Sequence, residues 1–149
     1  MTDHPDTEGL RPHSQTMTLL TGLYLFLLLM TIMSYGQPIP VFGIMLEGTA
    51  AQMYIIADSL LCLHLFLGIW KRQRLTWWLL LCYNGYEVLN TLLNLWLVPH
   101  KELERVLERT IDPQGMLFSN LITVAIVLWI SWLIWRQREQ FSNHSPYLF

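Results

Sequence analysis

Two carboxylates in apolar surroundings are the residues of this sequence best suited to chemistry. Asp58 and Glu87 each lie near the middle of a long apolar segment, and a short basic turn at residues 71–74 joins the two segments. Counted from Gln73, Asp58 lies fifteen residues back and Glu87 fourteen residues forward. If both segments are helices of a membrane hairpin, the two acids lie at almost the same depth, because each helical residue adds the same rise.

Ionisable side chains inside a membrane span are costly, since insertion scales put Asp at about +2.5 to +3.5 kcal/mol at mid-helix. Two carboxylates that share a site of low dielectric cannot both be charged cheaply, so one of Asp58 and Glu87 is expected to hold a proton if they face each other. Proton-coupled transport, binding of a cation or metal, and recognition of a basic or polar small molecule would each use such a pair. The alternative is a neutral, hydrogen-bonded seam that only fixes how the helices pair.

Glu87 belongs to a stripe of polar side chains on its own segment. Its neighbours at offsets of −4, −3, +3, +4 and +7 are Tyr83, Asn84, Asn90, Thr91 and Asn94. At 100° per residue, all five fall within about 60° of Glu87 on a helix. A face this polar must pack against other helices or line a wet cleft. We therefore predict that Glu87 binds a ligand or proton, with Asp58 as a conditional partner and Tyr83, Asn84, Asn90 and Asn94 as supporting candidates.

A metal or cofactor site has little support in the sequence. His64 is the one histidine inside an expected span, and its six-residue offset from Asp58 places it about 120° away on the helix. It is a weak candidate for a third metal ligand beside Asp58 and Glu87, because a dedicated site needs more and better-matched donors. A haem with two axial histidines would need a second histidine within a span. We expect no cofactor.

Motifs of soluble enzymes are missing from the chain. There is no phosphate-binding glycine loop, no H-E-x-x-H and no G-x-S-x-G. Cys62 and Cys82 both fall inside expected spans and form no disulfide framework. We expect a protein without catalytic activity, and a membrane enzyme that uses the two acids as acid and base is the weakest alternative.

The composition indicates an all-α membrane protein. The chain is 53% hydrophobic and 13% charged, against about 25% charged in average soluble proteins. No Asp, Glu, Lys or Arg occurs between Arg11 and Glu47 or between Asp112 and Arg136, and an apolar run of about 20 residues spans the bilayer as a helix. The sequence predicts an antiparallel bundle of four transmembrane helices at residues 17–35, 50–70, 76–98 and 116–135.

The other segments are predicted from their composition. Residues 1–15 and 139–149 are predicted to be polar tails that flank a transmembrane domain at 16–138, the first of them disordered. Residues 36–49 hold an apolar patch among prolines and glycines. The patch is too short to span the membrane, so it should lie at the membrane interface or dip slightly into the bilayer. A functional re-entrant loop is the alternative. Residues 99–115 combine apolar and charged residues at helical spacing, which predicts a short amphipathic surface helix between the third and fourth spans.

Counting basic residues gives an orientation. Six Lys and Arg fall on the side of the two tails and the central turn, and three fall on the other side. The positive-inside rule therefore predicts a multi-pass protein of the inner membrane with both termini in the cytoplasm. The expected partners are the lipid bilayer and, as options, other membrane proteins or further copies of the chain. The net charge of −2 gives no reason to expect a nucleic acid.

The function that these patterns favour is a small non-catalytic membrane module with a polar, acidic core that binds a small ligand, a cation or a proton. Such a module would have a transport-like role. The alternative is an accessory or assembly subunit of a larger membrane complex, in which the polar stripe serves only helix packing.

Overall fold

The computed structural model describes residues 15–107, 110 and 112–143. Within them, five α-helices and one small β-hairpin follow each other along the chain. The elements are α1 (Gln15–Met33), β1 (Ile39–Val41), β2 (Ile44–Leu46), α2 (Gly48–Trp70), α3 (Arg74–Leu97), α4 (His100–Leu107) and α5 (Pro113–Arg136), and a 3₁₀ turn at Arg138–Gln140 ends the series. The predicted tail at residues 1–15, apart from Gln15, and residues 144–149 of the second predicted tail lie outside the described residues.

Three of the described helices, α1, α2 and α5, are long and apolar enough to cross a membrane. Helix α3 has a similar length, at 24 residues, but its stripe of asparagines and Glu87 makes it more polar. The ends of these four long helices differ from the predicted spans by at most three residues. Helix α4 is shorter than the predicted amphipathic stretch at residues 99–115, since Thr110 and Asp112 are not helical.

The long helices pack as two pairs. Helix α1 packs along α2 and helix α3 along α5, whereas α2 and α3 contact each other less extensively. The buried apolar side chains cluster in the half of the molecule near the α2–α3 turn. The cluster comprises Met17, Leu20, Tyr24, Leu28, Cys62, Leu65, Ile69, Trp77, Leu80, Tyr83, Ile130, Ile134 and Phe141. In the other half, the two pairs leave a cleft between them.

The turn between α2 and α3 is a Schellman motif, in which two amides beyond the helix bond to carbonyls of its last turn. The amide of Gln73 donates to the carbonyl oxygen of Gly68 at 2.9 Å, and the amide of Arg72 donates to that of Ile69 at 3.0 Å. Arg72 has a φ of +54°, which puts it in the left-handed region that this motif requires. The chain therefore reverses within three residues, and α2 and α3 start as close neighbours.

The chain beyond α5 folds back onto this turn. The side chain of Phe141 is buried in the apolar cluster. The amide of Asn143 donates to the carbonyl oxygen of Arg72 at 3.1 Å, and the amide of Arg74 donates to the carbonyl oxygen of Asn143 at 2.9 Å. The first residues of the predicted C-terminal tail thus cover the end of the core.

Replacing Gly68 with alanine is expected to destabilise the protein by about 1–3 kcal/mol, the usual cost of overpacking. A Cβ at this position would overlap the side chain of Thr76, which is fully buried. The matched control is Gly85→Ala, because no atom lies within 4 Å of a Cβ at that position of α3. Alanine should leave the stability at position 85 unchanged or raise it slightly. Unfolding in mixed micelles measures both, and equal stabilities would contradict the close approach at Gly68.

Residues 36–49 form a structure that the sequence analysis did not predict. Strands β1 and β2 pair antiparallel, with Val41 opposite Ile44. Phe42 and Gly43 make the turn with φ values of +48° and +83°, as a two-residue type I′ hairpin requires. The hairpin lies against α3 rather than being an irregular apolar loop. The structure thus places an ordered strand pair beside the polar stripe.

Candidate functional site

A cleft of about 810 Å³ separates the two helix pairs in the half of the molecule away from the α2–α3 turn. One face of α3 forms its longest wall, through Glu87, Asn90, Thr91, Asn94, Leu95 and Val98. These residues follow the helical repeat, so the part of the predicted stripe from Glu87 to Asn94 is turned toward the cleft. The C-terminal end of α1, the first half of α2, the hairpin segment, Leu103 of α4 and the start of α5 also contribute to the lining. The volume falls within the range of small-molecule sites.

Asp58 of α2 and Glu87 of α3 both line this cleft. Each side chain is half-buried, and the two carboxylates lie close enough to interact electrostatically. Among the residues that the structure describes, no hydrogen bond joins the two carboxylates directly. The structure therefore brings both predicted acids to the lining of one open cleft.

The carboxylate of Asp58 is held by two neighbouring helices. The hydroxyl of Tyr83 donates to its Oδ1 at 3.2 Å, and the hydroxyl of Thr31 lies 3.4 Å from its Oδ2. Thr31 also lies 3.0 Å from the carbonyl oxygen of Leu27, so its single proton serves one acceptor at a time. The Sγ atom of Cys62 lies 3.3 Å from the Tyr83 oxygen. Because the Tyr83 proton points to Asp58, the thiol is the donor in this contact.

A tyrosine pair joins α2 and α3 beside the acids. The hydroxyls of Tyr54 and Tyr86 are hydrogen-bonded, and Tyr54 lines the cleft one helical turn before Asp58. The ring of Phe42, at the hairpin turn, packs edge-on against the ring of Tyr86 at 5.3 Å. The hairpin turn therefore contacts Tyr86, the residue immediately before Glu87 in α3.

Asn84 points away from the cleft and joins three helices. The hydroxyl of Tyr24 in α1 donates to its Oδ1 at 2.7 Å, and its Nδ2 donates to the Oγ of Ser131 in α5 at 3.1 Å. The side chain is only 4% exposed. This candidate of the sequence analysis is therefore a packing residue below the cleft, and it does not reach the two acids.

Asn90 and Asn94 line the cleft but also hold the hairpin. The amide of Phe42 donates to the Oδ1 of Asn90 at 2.8 Å, and the amide of Gly43 donates to the Oδ1 of Asn94 at 2.7 Å. The Nδ2 of Asn94 donates to the carbonyl oxygen of Pro40 at 2.9 Å and to the Oδ1 of Asn90 at 3.1 Å. The two asparagines thus provide hydrogen-bond partners for three backbone groups of a partly buried turn.

His64 does not join the two acids. It is a half-buried residue of α2 and is not part of the cleft lining. Within residues 15–107, 110 and 112–143, no group of three His, Cys, Asp or Glu side chains is placed to hold a metal ion. The weak metal hypothesis for His64 has no geometric support in the described part of the chain.

The sequence analysis missed the hairpin and Thr31 as parts of the site. A signal for the hairpin is present in the sequence, since Phe42-Gly43 lies between β-branched residues, Val41 and Ile44, and glycine in a two-residue connection is typical of a tight hairpin. A signal for Thr31 is also present, because Tyr24 and Thr31 lie seven residues apart and share a polar face of α1. The choice of Asp58 as its partner depends on how α1 and α2 are rotated.

The charge of the cleft is one-sided. Among the described lining residues, Asp58, Glu87 and Asp112 are acidic and none is Lys, Arg or His. Asp112 is engaged as the N-cap of α5, where its carboxylate accepts from the amides of Gln114 at 3.2 Å and Gly115 at 2.9 Å. The two acids of α2 and α3 therefore set the charge of the cleft interior, which suits a proton or a cation.

Comparison with known proteins gives no relative, because the chain matches no family model, no curated protein and no solved structure. The chemistry of the site follows from its own geometry: an acidic, half-open cleft between two pairs of helices.

Proposed function

We propose that this protein is a small, non-catalytic module of the inner membrane that binds a small ligand, a cation or a proton at Asp58 and Glu87, in a transport-like role. The observation that supports this proposal is that both acids line one open cleft of about 810 Å³, in which no described lining residue is basic. Ionisable groups at such positions are usually functional, because their insertion is costly.

The proposal treats α3 as a fourth membrane span in an antiparallel bundle. The polar stripe of α3 faces inward, toward the cleft, the hairpin and the helices to which Asn84 is hydrogen-bonded. The other faces of α3 expose large apolar side chains. These exposed side chains are Leu75, Trp78, Leu89, Leu92, Trp96 and Leu97. A helix in a bilayer needs apolar side chains on its lipid-facing side, and its polar side chains must face protein or a water-filled space.

In the proposed orientation, the basic turn and both termini lie in the cytoplasm. Three basic residues at positions 71–74 and two at 136–138 lie at the same end of the molecule, where Trp70, Trp78, Trp132 and Trp135 are exposed. This combination of basic residues and interfacial tryptophans is typical of a cytoplasmic membrane surface. The cleft then opens toward the opposite side of the membrane.

The proposal predicts that a cysteine in the cleft reacts faster with a cationic thiol reagent than with an anionic one of similar size. Thr91 lines the cleft, so the test uses Thr91→Cys in a background with Cys62→Ser and Cys82→Ser. The two carboxylates should favour the cationic methanethiosulfonate roughly tenfold, which corresponds to about 1.4 kcal/mol. Reaction rates in nanodiscs measure the preference.

Three further substitutions test whether the preference for the cationic reagent comes from the two acids. Glu87→Gln and Asp58→Asn should each reduce it, while Ser142→Cys, an exposed position at the basic end, should favour the anionic reagent. If Thr91→Cys reacts with neither reagent, or equally with both, the proposal is wrong. That outcome would favour an accessory subunit, in which the hydrogen bonds of Asn84, Asn90 and Asn94 serve only packing. A stable partner protein should then co-purify with the chain in mild detergent.

A further inference from the structure

The floor and the walls of the cleft differ in chemistry, and we infer that its ligand is an organic amine with an apolar body. This inference rests on the proposed function and names the ligand class of the same site. The floor carries the two carboxylates, Asp58 and Glu87. The walls above it carry apolar side chains from four parts of the fold, namely Ile39, Met45, Ile55, Leu95, Val98 and Met116.

The missing positive charge is the first argument. None of the described lining residues is basic, and Asp112 is occupied by the amides that it caps. The described part of the lining thus offers no counter-charge to the floor, and a proton or a bound cation would supply one. An ammonium group has several N–H donors and forms strong charge-assisted bonds, so it can bridge two carboxylates that share no hydrogen bond.

The size and walls of the cleft decide between kinds of cation. A proton needs no cavity, and a hard metal ion needs six or more oxygen ligands in the case of Ca²⁺. The described residues offer no group of three metal-binding side chains. A cleft of about 810 Å³, lined by both apolar and polar side chains, has instead the size of a site for a small organic molecule.

The hairpin gives the apolar body its position. Ile39 and Met45 of the hairpin lie on the cleft, and Asn90 and Asn94 fix the hairpin against α3. The hairpin therefore holds Ile39 and Met45 at fixed positions on the cleft, beside α3. A ligand with its amine at the floor would place its apolar part against these two side chains.

Three probes of one shape test the inference: 4-phenylbutylamine, 4-phenylbutan-1-ol and 4-phenylbutyrate, which carry a cation, a neutral hydroxyl and an anion. Thermal unfolding of the full chain in nanodiscs of zwitterionic lipid measures binding, because a ligand that binds the folded state stabilises it. The amine is expected to raise Tm by roughly 5–10 °C at a concentration a hundredfold above its Kd. The alcohol and the acid should raise it much less.

Variants assign the effect to the cleft. Glu87→Gln and Asp58→Asn should lose most of the shift with the amine, whereas Glu139→Gln, an exposed acid at the other end of the molecule, should keep it. If either cleft variant fails to fold, Thr91→Phe provides a second test, because it fills the cleft and leaves both acids in place.

Each outcome decides the inference. An equal shift with the alcohol, or an amine shift that persists in Glu87→Gln and Asp58→Asn, would overturn the amine as ligand. So would the absence of any shift with the amine. In each of these cases, the reagent preference of Thr91→Cys shows separately whether the cleft still selects small cations. The loss of that preference as well would overturn the proposed function.

Discussion

Replacing Asn94 with leucine is expected to free the β-hairpin from α3 and to lower the free energy of unfolding by about 3–5 kcal/mol. The substitution removes the acceptor for the amide of Gly43 and the donor to the carbonyl oxygen of Pro40. Both groups are partly buried, and a buried backbone group left without a partner costs about 1–3 kcal/mol. Leucine has the same number and branching of side-chain heavy atoms as asparagine, so the substitution leaves no cavity and the loss comes from the hydrogen bonds.

Two neighbouring substitutions make this prediction specific. Asn90→Leu should cost less, because it deprives one hairpin amide, that of Phe42, of its bond. Thr91→Val changes a cleft residue of nearly the same shape and should change the stability little. Unfolding in mixed micelles ranks the three variants. An Asn94→Leu protein as stable as Thr91→Val would show that the hairpin does not depend on these bonds.

Release of the hairpin should also change the site. Pro38, Ile39, Pro40 and Met45 of this segment line the cleft, so their withdrawal would widen it. In the Asn94→Leu background, Thr91→Cys should react faster with both thiol reagents and lose part of its preference for the cationic one, because water in a wider cleft screens the carboxylates more. The hairpin would then be the element that keeps the acids in a confined space.

The regular parts of this structure were predictable from the sequence because they depend on local patterns. Long apolar runs, two of them with an acid near the middle, predicted the ends of α1, α2, α3 and α5 to within three residues, since such runs have few alternatives to a helix. The polar stripe of α3 was also visible, because residues three, four and seven apart share a helical face. From Glu87 to Asn94, that stripe lines the cleft.

The role of each residue in the stripe could not be predicted in the same way. Asn84 lies on the same face as Glu87, yet its partners are Tyr24 and Ser131. Asn94 also lies on this face, yet it holds a hairpin about fifty residues earlier in the chain. These differences depend on which element packs at each level of α3 and on how each helix is rotated. A helical repeat contains no information about either.

The stripe thus divides into three levels along α3. The level of Asn84 joins helices near the apolar core, and the level of Asn90 and Asn94 supports the hairpin. Between them, Glu87 and Asp58 face open space. The polar side chains above and below are used in hydrogen bonds within the protein, so the frame around the two acids is formed without a ligand. Pre-organisation of this kind reduces the entropic cost of binding.

The lower level gives the second large prediction, since Asn84→Leu is expected to destabilise the protein by about 2–4 kcal/mol. The substitution leaves the hydroxyl of Tyr24 without its acceptor in a fully buried position, which costs about 1–3 kcal/mol. It also removes the bond to Ser131, and interhelical bonds of this type contribute about 0.6 kcal/mol on average. The stranded hydroxyl is therefore the larger of the two effects.

A double-mutant cycle with Tyr24→Phe separates these contributions. In the wild type, Tyr24→Phe removes a hydrogen bond and should destabilise the protein by about 1 kcal/mol. In the Asn84→Leu background, the same change removes a stranded hydroxyl and should instead be neutral or stabilising. Independent effects of the two substitutions would mean that the Tyr24–Asn84 bond does not hold α1 to α3. A favourable coupling would instead show that Asn84 holds α1 to α3 below the cleft. Asn84 would then support the floor of the cleft, whereas the helical repeat alone predicted that it binds the ligand.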